Sequence, residues 1–177
     1  MAAEAGGEGM ERRRGLPPVI GTAPRALLLG TVPSVISDRE RQYYANPMNG
    51  FWKVTHGIWD AEPDADYAAR LEFLKAHRLA LWDVVQECDI RKSGDGSIRN
   101  AVPNDLEGLF RDHPTIGHVF INGRRAHSLY EVMVDRHMDP VLRRPFSYLP
   151  STSSANAIGF GRKKEAWMMV RTYVERG

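Results

Sequence analysis

The sequence predicts one α/β domain of three layers, with a short central parallel sheet flanked by helices, and three observations carry that prediction. Continuously apolar runs, "ALLLG" at Ala26–Gly30 foremost, suit strands buried on both faces. Helical periodicities fall between these runs, as a layered sheet with crossover helices requires. The chain has 177 residues, 42% of them hydrophobic, enough for one substantial core.

Residues 1–23 are rich in Gly, Ala, Glu and Arg with little apolar periodicity, so they are expected to form a flexible tail that "ERRR" keeps solvated. The domain is then expected to occupy residues 24–177. After the first strand comes "QYYANPMNGFW", Gln42–Trp52, in which Asn-Pro and Asn-Gly mark a loop or turn and Pro47 argues against a core strand. Its four rings and two asparagines read as a shaped surface. A helix begins near Asp64, where Tyr67, Leu71 and Leu74 recur at i, i+4 and i+7. "LALWDVV", Leu79–Val85, is another buried run, strand or short helix, and "KSGDGS", Lys92–Ser97, is a flexible loop.

Asn104 with Glu107 forms an N-cap pair for a short helix that ends before Pro114. "GHVFING" predicts a strand over Gly117–Ile121 that ends in Asn122-Gly123. Ala126, Leu129, Tyr130, Met133 and Val134 then keep helical spacing. Phe146–Leu149 is a further strand, followed by a polar loop, and Ala166, Trp167, Val170 and Val174 mark a closing amphipathic helix. Ligands of parallel α/β sheets bind at the carboxyl ends of strands. Three segments fall there: "GTVPS" (Gly30–Ser34), Asn122-Gly123, and "LPSTSSAN" (Leu149–Asn156).

Several function classes are disfavoured. No apolar run approaches the ~20 residues that span a bilayer, so an intracellular, cytoplasmic protein without a membrane partner is expected. Cys88 is the only cysteine, which rules out an intrachain disulfide and an all-cysteine metal site in one chain. The six histidines show no H-E-x-x-H spacing, and neither a P-loop nor a complete G-x-G-x-x-G occurs, so no metal or cofactor is expected. Net charge is +2, yet residues 124–177 carry ten Lys/Arg against five Asp/Glu. That basic end is either a phosphate-facing side or a solvated helix face.

"LLLGTVPS", "QYYANPMNGFW", "LWDVV", "VFING" and "YLPSTSSANA" follow one another over residues 26–157, and in that order and spacing the chain resembles the uracil-DNA glycosylase superfamily, within it the hypoxanthine-DNA glycosylase branch. The resemblance implies that superfamily's fold and a monofunctional enzyme of base-excision repair. It would be a monomer acting on double-stranded DNA that contains a deaminated base, hypoxanthine ahead of uracil. Chemistry on a base inside a duplex requires extrusion of the nucleotide into a pocket.

On this resemblance Asn49 matches the asparagine that positions the attacking water; an amide is a poor base, but cleavage through an oxocarbenium-like state asks for placement more than basicity. Phe51 would stack on the flipped base, an interaction worth ~1–3 kcal/mol, or pack against Trp52 as core. Asn122 would read the base edge with its donor and acceptor, beside Tyr44 and Thr31. Ser151, Thr152 and Ser153 lie in the loop that would pinch the DNA backbone. Arg162, Lys163 and Lys164 would add phosphate contacts or simply solvate a helix start.

The chain also departs from the family pattern. Leu149 stands where other uracil enzymes place a histidine, and "GTVPS" lacks their aspartate or asparagine, which moves catalysis onto Asn49. Ser34 occupies a place often held by glycine, and Ser154 one often held by proline. Lys53 would be the amine nucleophile of a lyase, although nothing near it in sequence activates it. A DNA-binding module that kept the groove but lost turnover, a uracil-preferring glycosylase, and an α/β enzyme acting on a free nucleoside are the alternative readings.

Overall fold

A computed structural model describes residues 9–92 and 94–177. The first half runs β1 (Glu11–Arg14), β2 (Ala26–Gly30), α1 (Val35–Glu40), α2 (Phe51–Gly57), α3 (Tyr67–Ala76), β3 (Leu79–Asp83) and β4 (Val85–Ile90). The second runs β5 (Arg99–Pro103), α4 (Leu106–Asp112), β6 (His118–Asn122), α5 (Arg124–Met133), β7 (Phe146–Leu149) and α6 (Phe160–Glu175).

The central sheet is parallel, in the order β3-β2-β6-β7. Its strands read as unbroken apolar runs because both faces are covered. Leu27, Leu29, Ala80, Val119 and Ile121 face one layer, with Leu109 and Phe110 of α4 and Ala126 and Tyr130 of α5. Their alternate neighbours Ala26, Leu28, Leu79, Leu81 and Phe120 face the other, with Val54 of α2, Leu74 of α3, and Trp167 and Val170 of α6. The predicted three-layer α/β domain is therefore the observed one. Among the described residues no helix is long and apolar enough to cross a membrane.

One open alternative is settled, and three local expectations differ from the structure. "LALWDVV" is a strand, β3, that ends at Asp83; Val84 N–H bonds Gly30 O (2.8 Å) and Val85 N–H bonds Thr31 O (3.0 Å), and the chain then leaves for a second sheet. That sheet, β1-β4-β5, is antiparallel and has no apolar signature in the sequence. It includes part of the supposed tail, since Glu11–Arg14 pair with Glu87–Ile90 and Leu16 and Val19 are buried; residues 1–8 lie outside the described residues. "ERRR" is thus structural: Arg12 pairs with Glu87 (2.7 Å) and Asp89 (3.2 Å), while Arg13 is buried, bonded to Glu11 and to Pro33 O.

The cap of α4 is Asp105, which accepts from Gly108 N–H at 2.8 Å, rather than Asn104. Asn104 instead donates to Asp83 O (2.8 Å), steadying the end of β3. Finally, only the first part of "QYYANPMNGFW" is loop. A helix, α2, starts at Phe51, and Tyr43, Phe51 and Trp52 belong to the core. In register, Gly30 pairs with Asp83 and Asn122 with Leu149, so all four parallel strands deliver their carboxyl ends to one edge.

Candidate active site

Over that edge lies a cavity of about 850 Å³, within the size range of small-molecule sites. Strand ends and the loops after them line it: Gly30–Ser34 after β2, Asp83 after β3, Asn122–Arg125 after β6, and Pro150–Ser153 after β7. Tyr43, Tyr44, Asn46 and Asn49 close one side.

Asn49 sits just before Gly50, the N-cap of α2, and its Oδ1 accepts from Phe51 N–H (2.9 Å) in an Asx-type turn. The same Oδ1 accepts from Thr152 Oγ1 (2.9 Å), while Gly50 N–H bonds Thr152 O (2.9 Å), tying the loop before α2 to the loop after β7. Backbone donors fix the polarity of the network that follows. Thr152 N–H requires Asn122 Oδ1 (3.0 Å), so Asn122 Nδ2 donates to Thr152 Oγ1 (2.9 Å) and to Tyr44 Oη (3.1 Å). The result is a line, Tyr44–Asn122–Thr152–Asn49, in which both amide orientations are fixed. It leaves the Asn49 Nδ2 group as the end that has no partner among the described residues.

Tyr44 lines the cavity together with Tyr43 and Tyr148. Its face lies on Phe51, with centroids 3.8 Å apart and planes 10° from parallel, and Phe51 in turn meets the edges of Trp52 and Trp167. The Tyr44 backbone has φ +52°, a left-handed conformation that costs a non-glycine residue ~1–2 kcal/mol. The stack and the Asn122 bond hold it there. Gly30 must be glycine, because a Cβ would come 2.5 Å from Asp83 Oδ1 and 2.8 Å from Tyr44 Oη. Gly123 must be glycine as well: φ is +96° where β6 turns into α5.

The acidic pair is the other feature of the cavity. Asp83 is buried at 4% exposure, and its Oδ2 has no hydrogen-bond partner among the described residues. Burial, with a smaller contribution from Asp95, pushes its carboxyl up to about 7. Asp95 is also raised by burial, against the lowering effect of a hydrogen bond from Thr31 and the charges of Arg125 and Arg13.

Because the folded protein holds the Asp83 proton more tightly than the unfolded chain does, this group's stabilising contribution is complete below the ordinary carboxylate range. It is lost as pH rises toward about 7. Asp83→Asn is therefore expected to gain stability relative to the unmodified chain as pH rises from ~4 to ~7. Urea unfolding midpoints across that range measure it; parallel curves would refute the buried, proton-holding acid.

No protein-family model matches the chain. A Methanosarcina acetivorans protein named Hypoxanthine DNA glycosylase is 35% identical over 162 residues, which is 89% of this chain and 97% of the relative. The chain belongs to the hypoxanthine DNA glycosylase family. A Methanosarcina barkeri protein of the same name is 31% identical over 160 residues, 88% of this chain and 96% of its own. The solution NMR structure of a candidate uracil DNA glycosylase from Methanosarcina acetivorans superposes with a TM-score of 0.77 at 33% identity, covering 93% of this chain and 99% of that one.

Of the residues that the family resemblance singled out, the structure brings Asn49, Tyr44, Asn122, Thr31, Ser151, Thr152 and Ser153 to one cavity. It leaves others elsewhere. Phe51 is fully buried behind Tyr44, so the core-packing alternative describes where it sits. Thr152, at 1% exposure, brackets the two asparagines rather than the surface. Lys163 is buried and donates to Ser153 O (3.0 Å), and burial lowers its pKa; Lys164 pairs with Asp60 (2.9 Å). Arg162 is exposed. Lys53 lies outside the cavity lining, with Nζ 4.4 Å from the centroid of the Phe160 ring.

Sequence reasoning missed Asp83, Asp95, Arg124 and Arg125, all of them cavity residues. The first was within reach: "LWD" ends an apolar run, and the strand-end rule applied to that fourth strand points to Asp83.

Proposed function

We propose that the chain is a monofunctional DNA glycosylase that receives an extruded deaminated nucleotide, hypoxanthine ahead of uracil, and hydrolyses the bond between base and deoxyribose. One observation carries the reading. The unengaged amide of Asn49 opens into a strand-end cavity walled by the Tyr44 ring, in a chain whose relatives are named for removing hypoxanthine from DNA.

In this reading the base lies along Tyr44, with Phe51 backing the ring. Asn49, locked at Oδ1 by two protein donors, holds a water by donating from Nδ2 to its oxygen. That grip orients the water without deprotonating it, which suffices when bond breaking runs ahead of attack and C1′ already carries oxocarbenium character. Asn122 acts mainly through Tyr44 and Thr152, because both of its Nδ2 protons are engaged; one lone pair of Oδ1 remains for the base edge. Arg124 and Arg125 at the cavity mouth, exposed Arg162, and the Ser151 and Ser153 hydroxyls contact the phosphates. The partner is double-stranded DNA, bound by a monomer inside the cell, and no metal takes part.

The test is release of base from duplex oligonucleotides containing one deoxyinosine or one deoxyuridine, with chelator present. Abasic sites are expected on both, faster for deoxyinosine, with strand breaks only after alkali. Intact lesions at enzyme excess would refute the proposal. Equal release from free deoxyinosine would make the chain a nucleoside hydrolase instead.

A further inference from the structure

The glycosylase reading accounts for Asn49 and leaves the Asp83 carboxyl unused. An acid at 4% exposure with an unpartnered oxygen is rare in a folded protein, since burying a polar group without a partner is costly. It is also not loose. Asn104 holds its carbonyl, Val84 N–H bonds Gly30 O, and Gly30 lacks the Cβ that would strike Asp83 Oδ1. The same missing Cβ leaves room for Tyr44 Oη, so Asp83 stands at one end of the polar line whose other end is Asn49. Asn49 serves the sugar end of a nucleotide; the group at the far end meets the base.

Resting on that glycosylase reading, we propose that Asp83 touches the base directly and, as a neutral acid, pairs with the lactam edge that deamination creates. Its carbonyl oxygen accepts from the lactam N–H, and its O–H donates to the lactam oxygen, an arrangement open to both hypoxanthine and uracil. When the bond between C1′ and the base nitrogen breaks, the electron pair leaves with the base, and the charge delocalises onto the lactam oxygen. There the Asp83 proton meets it and is handed over. The water held by Asn49 adds to C1′ and loses a proton to solvent, from which Asp83 is reprotonated. The products are a sugar bearing a hydroxyl at C1′ and a neutral base, with one water consumed.

The groups facing this acid are Asp95, from the loop between β4 and β5, and the Tyr43 and Tyr44 hydroxyls, both of which burial keeps protonated. Arg13 and Arg125 bear on Asp95. Burial and Asp95 together keep the carboxyl protonated up to about pH 7, where the enzyme would work.

Single-turnover base release from a deoxyinosine duplex, measured between pH ~5.5 and ~9, tests the assignment. The unmodified chain should lose rate about tenfold per pH unit above neutrality. Asp83→Asn, which keeps the shape and removes the proton, should be slower by roughly 10²-fold at pH ~6 and lose that descending limb. Asp95→Asn, which withdraws a charge that favours the neutral acid, should move the limb to lower pH, and it tests the idea even if Asp83→Asn does not fold. A rate and profile in Asp83→Asn equal to the unmodified chain, or a limb that Asp95→Asn leaves in place, overturns the proposal while the glycosylase reading stands. No release by the unmodified chain overturns both.

Discussion

Asn49→Ala is expected to stop base release, slowing the single-turnover step by roughly 10²–10³-fold, while the lesion duplex still binds. The expectation follows from how the amide is held. Phe51 N–H and Thr152 Oγ1 both donate to Oδ1, which fixes the amide orientation and leaves Nδ2 without a partner among the described residues, on a side chain that lines the cavity. Truncation removes that donor. A misplaced nucleophile costs on the order of 10²-fold even when its chemistry is intact. The cavity walls stay, because Tyr44 is held from Phe51 and Asn122 rather than from Asn49.

A second consequence must be separated from the first. Loss of the bond to Phe51 N–H leaves the first amide of α2 without its side-chain acceptor, at a cost of about 1 kcal/mol in stability. Unfolding curves measure that term, and titration of labelled duplex measures binding. Thr152→Val is the companion: it frees the Asn49 amide to turn and should lower release while Asn49 remains present. Release by Asn49→Ala at the unmodified rate would remove the residue from the chemistry.

The parallel sheet was legible because burial on both faces leaves an unbroken apolar run, as at Ala26–Gly30, bounded by glycine and too short for most helices. The antiparallel sheet left no such mark. Its first strand is "ERRR", held by ion pairs and by a buried Arg13, so its composition resembles a solvated segment. The start of α2 was hidden for a related reason. Asn-Pro and Asn-Gly mark a break in the chain, and the side chain of Asn49, read as a turn residue or a catalyst, also accepts from the first amide of the helix.

The candidate site was readable where motif order carried it and obscure where a role depends on which way a side chain turns. Phe51 and Tyr44 are both aromatic and seven residues apart; nothing in their spacing says which one covers the other. Lys163 illustrates the same limit for charge, since a lysine in "GRKKE" gives no sign that its ammonium turns inward to the Ser153 carbonyl. Asp83 was hidden by the opposite circumstance: it is a single acid at the end of a hydrophobic strand, where a surface carboxylate is the ordinary expectation.

Phe51→Ala is expected to destabilise the fold by about 3–5 kcal/mol, the usual cost of emptying a buried aromatic site. Phe51 is fully buried, stacked on Tyr44 and edge-on to Trp52 and Trp167, in the core cluster shared by α2, α6 and the central sheet. Its removal also takes away the surface that holds Tyr44 in a left-handed backbone conformation, so the cavity wall loosens together with the core. Urea unfolding measures the first effect, and base release well below the transition measures the second. Phe51→Leu restores much of the volume without the flat face, and it separates two possible roles. If Phe51 acts by supporting Tyr44, stability and base release recover together, whereas Tyr44→Ala loses release at little cost in stability. Should Phe51→Leu recover stability in full while base release stays at the level of Phe51→Ala, then the base reaches Phe51 itself, and Tyr44 must leave the stack to admit it.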